Sequence, residues 1–321
     1  MSGLPARASP DRVRALSGVS GVVSAEAEAP LAPLTSLGVG GPAELLVEAR
    51  SSQAVGGVVA LARDWGLPLT LLGGGSNLLV SDAGVRGVVL RLRGGSIGRL
   101  AADRVRAEAG VALNGLVRWA VLQGAAGLAE WAGTPGSMGG ALYGNAHFQG
   151  RLIGERIAGA ELLDPASGES RRLPVAELEL GYDRSRLQRT GELALAVEFA
   201  VESGEPSRLR QTARASLLYR KRTQPLALRS AGCVFQNPDP ERVRLPPGVP
   251  CSAGALIDRA GLKGHRLGGA RVSEVHANFI VNEGGASAAD VAALALLCRE
   301  RVAERFGVEL REEIVRLGDW L

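Results

Sequence analysis

The sequence is short of the residues that build metal centres and disulfide frameworks. Its three cysteines, Cys233, Cys251 and Cys298, form no CxxC pair, and its three histidines, at 147, 265 and 276, are scattered. This excludes a cysteine-stapled scaffold and a zinc site, and it suits a reducing compartment. No apolar run approaches the ~20 residues that cross a bilayer. The opening stretch, MSGLPARASPDRVRAL, lacks the apolar core of a signal peptide. Both absences predict a cytoplasmic protein without membrane contact. Lysine is scarce too: all but two of the 37 basic residues are arginine, the exceptions being Lys221 and Lys263. There is no basic run and the net charge is only +4, which favours a small anion over nucleic acid. No protein partner is implied. Aromatics make up 4% of the chain, so binding has to lean on the backbone, where 44 glycines allow tight turns and close approach.

At 321 residues, with 46% hydrophobic and 22% charged content, the chain fits two or three soluble domains. The first convincing unit is an apolar strand, Ala43–Ala49, then a helix capped by Ser51 or Ser52 and running to about Trp65. A second strand, Pro68–Leu72, runs straight into glycines, so the opening is β-α-β. Short apolar runs follow, Val88–Leu92, Ala158–Leu163 and Leu193–Val201, with a helix over Leu113–Gln123. Beyond Pro206 the pattern predicts a basic helix, Ser207–Arg222, a helix Ala253–Ala260, a strand Ala277–Val281 and a helix Ser287–Phe306. Ser287 and Asp290 form a capping box for the last helix, and Gly307 ends it. A final strand, Val308–Leu317, closes the chain. The fold class is α+β.

Three glycine-rich segments stand out. Gly73-Gly74-Gly75-Ser76-Asn77 sits at a strand end, where positive φ lets consecutive N–H groups meet a diphosphate. A tight structural turn is the competing explanation. The others are Thr35–Gly41 (TSLGVGG) and Gly133–Gly140 (GTPGSMGG), the latter followed by Asn145-Ala146. There is no GxxxxGK[ST] and no clean GxGxxG after a strand, which disfavours a P-loop and an ordinary Rossmann site. One extended dinucleotide lying across two domains would account for all three clusters.

The ordered series TSLGVGG, LLGGGSNLLVSDAGVRGVVLRL (Leu71–Leu92) and GLAEWAGTPGSMGGALYGNA (Gly127–Ala146) resembles the FAD-binding half of MurB-type reductases. SAGCVFQNP (Ser230–Pro238), AGALIDRAGLKGHRLGGARVS (Ala253–Ser273), HANFIVNEGG (His276–Gly285) and FGVELREEIVRLG (Phe306–Gly318) continue the likeness to the C-terminus. The length and the HANFIVN form resemble the shorter of the family's two subtypes. The resemblance implies an α+β fold of three domains, two forming a PCMH-type FAD-binding unit and the third binding substrate. The boundaries expected are residues 1–82, rejoined by 307–321, then 83–205 and 206–306. It implies FAD and NADPH as cofactors and UDP-N-acetylglucosamine enolpyruvate as substrate. The cofactor-binding residues expected are Thr35, Gly38 and Gly40; Leu72, Gly73, Gly74, Gly75, Ser76, Asn77 and Leu78; and Gly133, Thr134, Pro135, Gly136, Ser137, Gly139, Gly140, Asn145 and Ala146.

The family reaction moves a hydride from NADPH through the flavin to the enolpyruvyl β-carbon, leaving carbanion character at C2. That needs a proton donor and groups that stabilise the enolate. Cys233 occupies the position of the family's Ser or Cys donor, the alternative being a small buried hydrophobe. Glu313 matches the family's C-terminal glutamate, with Glu312 as the register alternative, since strand neighbours point to opposite faces. The third position departs from the pattern. Where the family shows Tyr-Arg-x-Ser, this chain has Gly181-Tyr182-Asp183-Arg184-Ser185, which puts an anion in the arginine's place. Either Arg184 takes the role through a local shift or another arginine does; Arg184 is the assignment made. Lys221 resembles a lysine that contacts the substrate diphosphate, against a solvated helix base, and Tyr182 and Asn237 are further candidates for the UDP-sugar. Rival readings are another FAD oxidase of the same superfamily and a non-catalytic nucleotide-sugar binder. A nucleotidyltransferase is weaker, because no metal-binding carboxylates accompany the glycines.

Overall fold

A computed structural model describes residues 8–320. The start of the opening stretch read for a signal peptide lies outside them. The chain divides into two compact units that interleave along the sequence. The first takes residues up to 29, then 43–74 and 86–219; the second takes 30–42, 75–85 and 220–321.

The first unit holds two sheets of four or more strands, besides two short two-stranded ones. One is four-stranded, in the order Val22–Pro30, Pro42–Ala49, Val85–Leu92, Leu69–Leu72, and its last pair is parallel with Leu69 opposite Val88. The helix Gln53–Asp64 packs here through Val55, Val58, Val59 and Ala62, at the spacing of one helical face. Ser52 is its N-cap by position but makes no capping bond. Its hydroxyl donates instead to the Leu195 carbonyl at 2.6 Å, so the expected cap is replaced by a tie to a distant strand. The other sheet is five-stranded, in the order Ser170–Pro174, Ile157–Leu163, Leu193–Ala200, Arg104–Glu108, Ile97–Ala101. Its central strand, LALAVEFA, is buried almost throughout, as a strand covered on both faces must be. The helix Pro10–Ser17 and the strand Val22–Pro30 were not expected from sequence. In VVSAEAEAP the alternating small residues carry little hydrophobic signal.

The second unit is an antiparallel sheet, in the order Arg229–Cys233, Phe279–Asn282, Ala270–Val272, Arg266–Leu267, packed on the helices Ala253–Arg259 and Ala288–Phe306. The long helix opens with the expected reciprocal cap. Ser287 Oγ accepts from the Asp290 N–H at 3.0 Å, Asp290 Oδ2 accepts from the Ser287 N–H at 2.9 Å, and Gly307 closes it at φ +67. Asp82 adds a second clamp, its two oxygens accepting from the Ala288 and Ala289 N–H groups at 2.9 Å each. The final strand is shorter than expected, Val315–Leu317 rather than Val308–Leu317, and pairs in parallel with Leu78–Val80. Residues 311–314 bond instead to the segment following Cys233, at a single bridge between Phe235 and Glu312. Among the described residues no helix is long and apolar enough to cross a membrane, and no group of three or more His, Cys, Asp or Glu is placed to hold a metal.

Candidate active site

In the first unit the two glycine clusters meet. Leu72, buried, ends its strand, and Gly73 and Gly74 follow. A Cβ on Gly74 would come within 2.7 Å of the Gly136 Cα, so only glycine fits there, while one on Gly73 would meet Ser137 Oγ, the end of a side chain. The N–H groups of Gly73, Gly74, Gly136 and Ser137 donate to no backbone carbonyl among the described residues. Their neighbours differ. Thr134 donates to the Trp131 carbonyl, Gly139 to the Ala109 carbonyl, Gly133 to Asn114 Oδ1 and Gly140 to Ser137 Oγ. Pro135 has no N–H to give. Asn145 is buried with φ +43, and its side chain is fully engaged: Nδ2 donates to the Gly181 carbonyl and Oδ1 accepts from the Gly154 N–H, both at 2.8 Å. Both backbone groups of Ala146 are likewise bonded, to Ala141 and Ile153. At Gly133, Thr134, Gly139, Gly140, Asn145 and Ala146 these bonds brace the loop that carries Gly136 and Ser137.

The Tyr182–Arg184 stretch also lies in the first unit. Gly181 and Arg184 exchange both backbone hydrogen bonds across a tight turn, with Asp183 at φ +48. Tyr182 is exposed, its ring 4.8 Å from that of His147. Asp183 adds to burial in raising the pKa of Tyr143. Arg184 is exposed, its guanidinium folded back over Gly181.

In the second unit, Thr35 braces its own turn, accepting from the Gly38 N–H at 3.1 Å through its hydroxyl. Gly40, at φ +123, lies against Val80, and Gly38, at φ +73, lies against the Arg229 side chain. Gly75, at φ +64, leads through Ser76 and Asn77 into the strand that begins at Leu78. Its carbonyl accepts from the Ser36 N–H at 2.9 Å, which joins the two turns.

The same unit brings Cys233 and Glu313 together. An extra residue in Arg229–Cys233, opposite Phe279–Asn282, makes a bulge with Gly232 at φ +84, which sets Cys233 at the strand end. Asn278 then clasps the chain beyond it: Oδ1 accepts from the Phe235 N–H at 3.0 Å, and Nδ2 donates to the Phe235 carbonyl at 2.7 Å. On the other side the Glu313 N–H donates to the Val234 carbonyl at 2.8 Å. Burial, and then the charge of Glu313, push the Cys233 thiol up to about 12; a hydrogen bond from Asn278 and the charge of Arg220 oppose them without prevailing. Glu312 is engaged elsewhere, in a two-pronged ion pair with Arg316 at 2.6 and 2.8 Å.

Arg220 escaped the sequence reading. It is 5% exposed, and burial lowers its pKa to about 10, so it stays charged at neutral pH beside Cys233. One signal was available: Leu209, Ala213, Ser216 and Arg220 recur at helical spacing, which puts Arg220 on the inner face of Pro206–Thr223. Lys221, its neighbour, is exposed. Asn237 is exposed and accepts from the Ala253 N–H at 3.1 Å, at the start of a helix.

Residues 43–174 match the family model of an FAD binding domain, and residues 224–317 match that of the UDP-N-acetylenolpyruvoylglucosamine reductase C-terminal domain. The UDP-N-acetylenolpyruvoylglucosamine reductase of Synechococcus sp. (strain RCC307) is 41% identical over 296 residues, 91% of this chain and 93% of that one. This chain belongs to the UDP-N-acetylenolpyruvoylglucosamine reductase family. The reductase of Heliobacterium modesticaldum is 40% identical, with 90% of each chain covered. Among solved structures, the family member MurB from Thermus caldophilus matches with a TM-score of 0.74 at 33% identity, over 92% of this chain and 98% of that one.

Proposed function

We propose that this chain reduces UDP-N-acetylglucosamine enolpyruvate to UDP-N-acetylmuramate for peptidoglycan precursor synthesis, with FAD as bound cofactor and NADPH as reductant. The observation that carries the reading is that the residue next to Cys233, Val234, bonds the Glu313 backbone, and that the buried Arg220 guanidinium acts on the Cys233 thiol. The residues present fit a flavin dinucleotide. Gly74 lies against the Gly136 backbone too closely for any side chain, and the amides of Gly73, Gly74, Gly136 and Ser137, without a backbone partner, suit diphosphate oxygens. The turns at Thr35–Gly41 and Gly75–Ser76 are assigned to the same cofactor.

When bound, FAD supplies the hydride, drawn from NADPH, that adds to the enolpyruvyl β-carbon. Negative charge then grows on C2 and the adjoining carboxylate of the substrate. Cys233 delivers the proton to C2. With its pKa near 12 the thiol is neutral at pH 7, so it acts as an acid and not as a nucleophile. Arg220 offsets the growing charge on the carboxylate, and it does so strongly because it is buried. The Glu313 charge holds the proton on sulfur until negative charge has grown on C2, and the Arg220 charge, which favours the thiolate, eases its release. Lys221 is assigned to the substrate diphosphate, and Tyr182 and Asn237 to the UDP-sugar. Arg184 gives way to Arg220 as the enolate-facing cation. A cytoplasmic setting and a part in cell-wall growth and division follow from the substrate.

The test is anaerobic. NADPH should bleach the flavin band of the yellow protein, and the enolpyruvyl UDP-sugar should restore it with formation of the lactyl product. Bleaching without recovery rules out the substrate, and a protein that takes up no FAD rules out the reading as a whole.

A further inference from the structure

Asn77 ends the glycine-rich turn, where its side chain was expected to serve the cofactor. The structure gives its amide a different partner: Nδ2 donates to the Glu313 carbonyl at 3.0 Å. Its backbone carbonyl accepts from the Val315 N–H at 2.9 Å, the first rung of the pairing between Leu78–Val80 and Val315–Leu317. Glu313 is therefore pinned at both backbone groups. Val234, next to Cys233, holds its N–H, and Asn77 holds its C=O. Asn77 is itself fixed from behind, because Gly75 is locked by Ser36 and lies too close to the Leu34 carbonyl for a side chain.

We propose that Asn77 is a positioning residue for Glu313: its side-chain amide holds the Glu313 carbonyl so that the carboxyl stays beside Cys233. The inference rests on the assignment of Glu313 to the reaction. Residues 311–314 form no regular strand: Gln236 holds the Arg311 carbonyl, Arg316 pairs with Glu312, and the two backbone holds on Glu313 come from Val234 and Asn77. Releasing one of the two holds lets the carboxyl drift. A displacement near 1 Å costs about a hundredfold where alignment matters.

The experiment is a double-mutant cycle on the two half-reactions, using FAD-loaded N77A, N77D, E313Q and N77A/E313Q. N77D keeps the shape of the side chain and removes the donor. Both Asn77 variants should slow flavin reoxidation by the enolpyruvyl UDP-sugar by about ten- to a hundredfold. Bleaching by NADPH should stay within about twofold, and FAD affinity, read from quenching of flavin fluorescence on binding, within about threefold. N77A/E313Q should reoxidise no more slowly than E313Q, because Asn77 acts only through Glu313. Multiplying losses in the double variant overturn the proposal. So does a fall in FAD affinity and bleaching in step with reoxidation, which makes Asn77 a cofactor ligand. Failure of both Asn77 variants to give folded yellow protein overturns it as well, by assigning the residue to the fold. E313Q that reoxidises at the parent rate removes the Glu313 assignment itself, and that result is read from one variant alone.

Discussion

Cys233 keeps its proton because of where it sits. Burial and the Glu313 charge hold the thiol near 12, so it stays loaded with its proton across the neutral range. C233S, which keeps an O–H, should retain most of the reoxidation rate, and C233A should lose about a hundredfold or more; rapid mixing of reduced enzyme with substrate measures both. Arg220 and Arg184 separate in the same assay. R220M should slow reoxidation by roughly a hundredfold, as loss of a buried charge donor does, whereas R184M, at an exposed turn, should change it less than about threefold. Cys233 and Glu313 were legible in the sequence because SAGCVFQNP and FGVELREE carry them. Arg220 was harder to see, because it is one arginine among many in its helix, marked only by its spacing from Leu209, Ala213 and Ser216. Glu192, in the first unit, supplies a stability prediction. Burial alone would raise its carboxyl, but hydrogen bonds from Arg186, Arg171 and Thr190 win and bring it down to about 2. A depressed folded pKa stabilises above the unfolded value of 4.5, and the contribution fades as pH falls towards 2. E192Q should therefore destabilise by on the order of 2–3 kcal/mol at pH 6, and much less at pH 3, by urea unfolding.

Among the elements, those with local signals were legible and those set by tertiary pairing were not. The helix Ala288–Phe306 announced both ends through Ser287, Asp290 and Gly307. The last strand did not, because residues 308–314 read as strand but bond irregularly beside Cys233. The glycine clusters were visible as clusters, but which glycines approach another backbone was not. That difference is testable. At Gly74 an added Cβ meets the Gly136 backbone at 2.7 Å, whereas at Gly73 it meets the Ser137 hydroxyl, the end of a side chain that can turn away. G74A should therefore lose FAD affinity by an order of magnitude or more and destabilise by about 1–3 kcal/mol. G73A should be milder on both counts, limited to about 1 kcal/mol for the disturbed Ser137 cap. Titration of apoprotein with FAD and a thermal scan would rank the two. Equal losses would mean that the approach of the clusters does not decide binding.

For the molecule as a whole, the sequence suggested residues 1–82 rejoined by 307–321, then 83–205 and 206–306, and the chain divides into two compact units that interleave. The second unit draws residues 30–42 and 75–85 from the N-terminal region, and they are not ornaments. Leu37, Val39 and Leu79 sit in the core with Ile280, Leu294 and Leu310, Leu78–Val80 is the pairing partner of Val315–Leu317, and Asp82 caps the long helix. A fragment of residues 220–321 would keep the four-stranded sheet and lose all of these. The three core side chains alone are worth roughly 4.5–9 kcal/mol of burial, at about 1.5–3 kcal/mol each, and a domain is stable by only about 5–15 kcal/mol. The fragment should therefore show no cooperative thermal transition by circular dichroism, while the full chain does. The same fragment extended by a linker carrying residues 30–42 and 75–85 should regain the transition. A fragment of 220–321 that melts cooperatively by itself would show that the borrowed segments serve the site and not the stability of the unit.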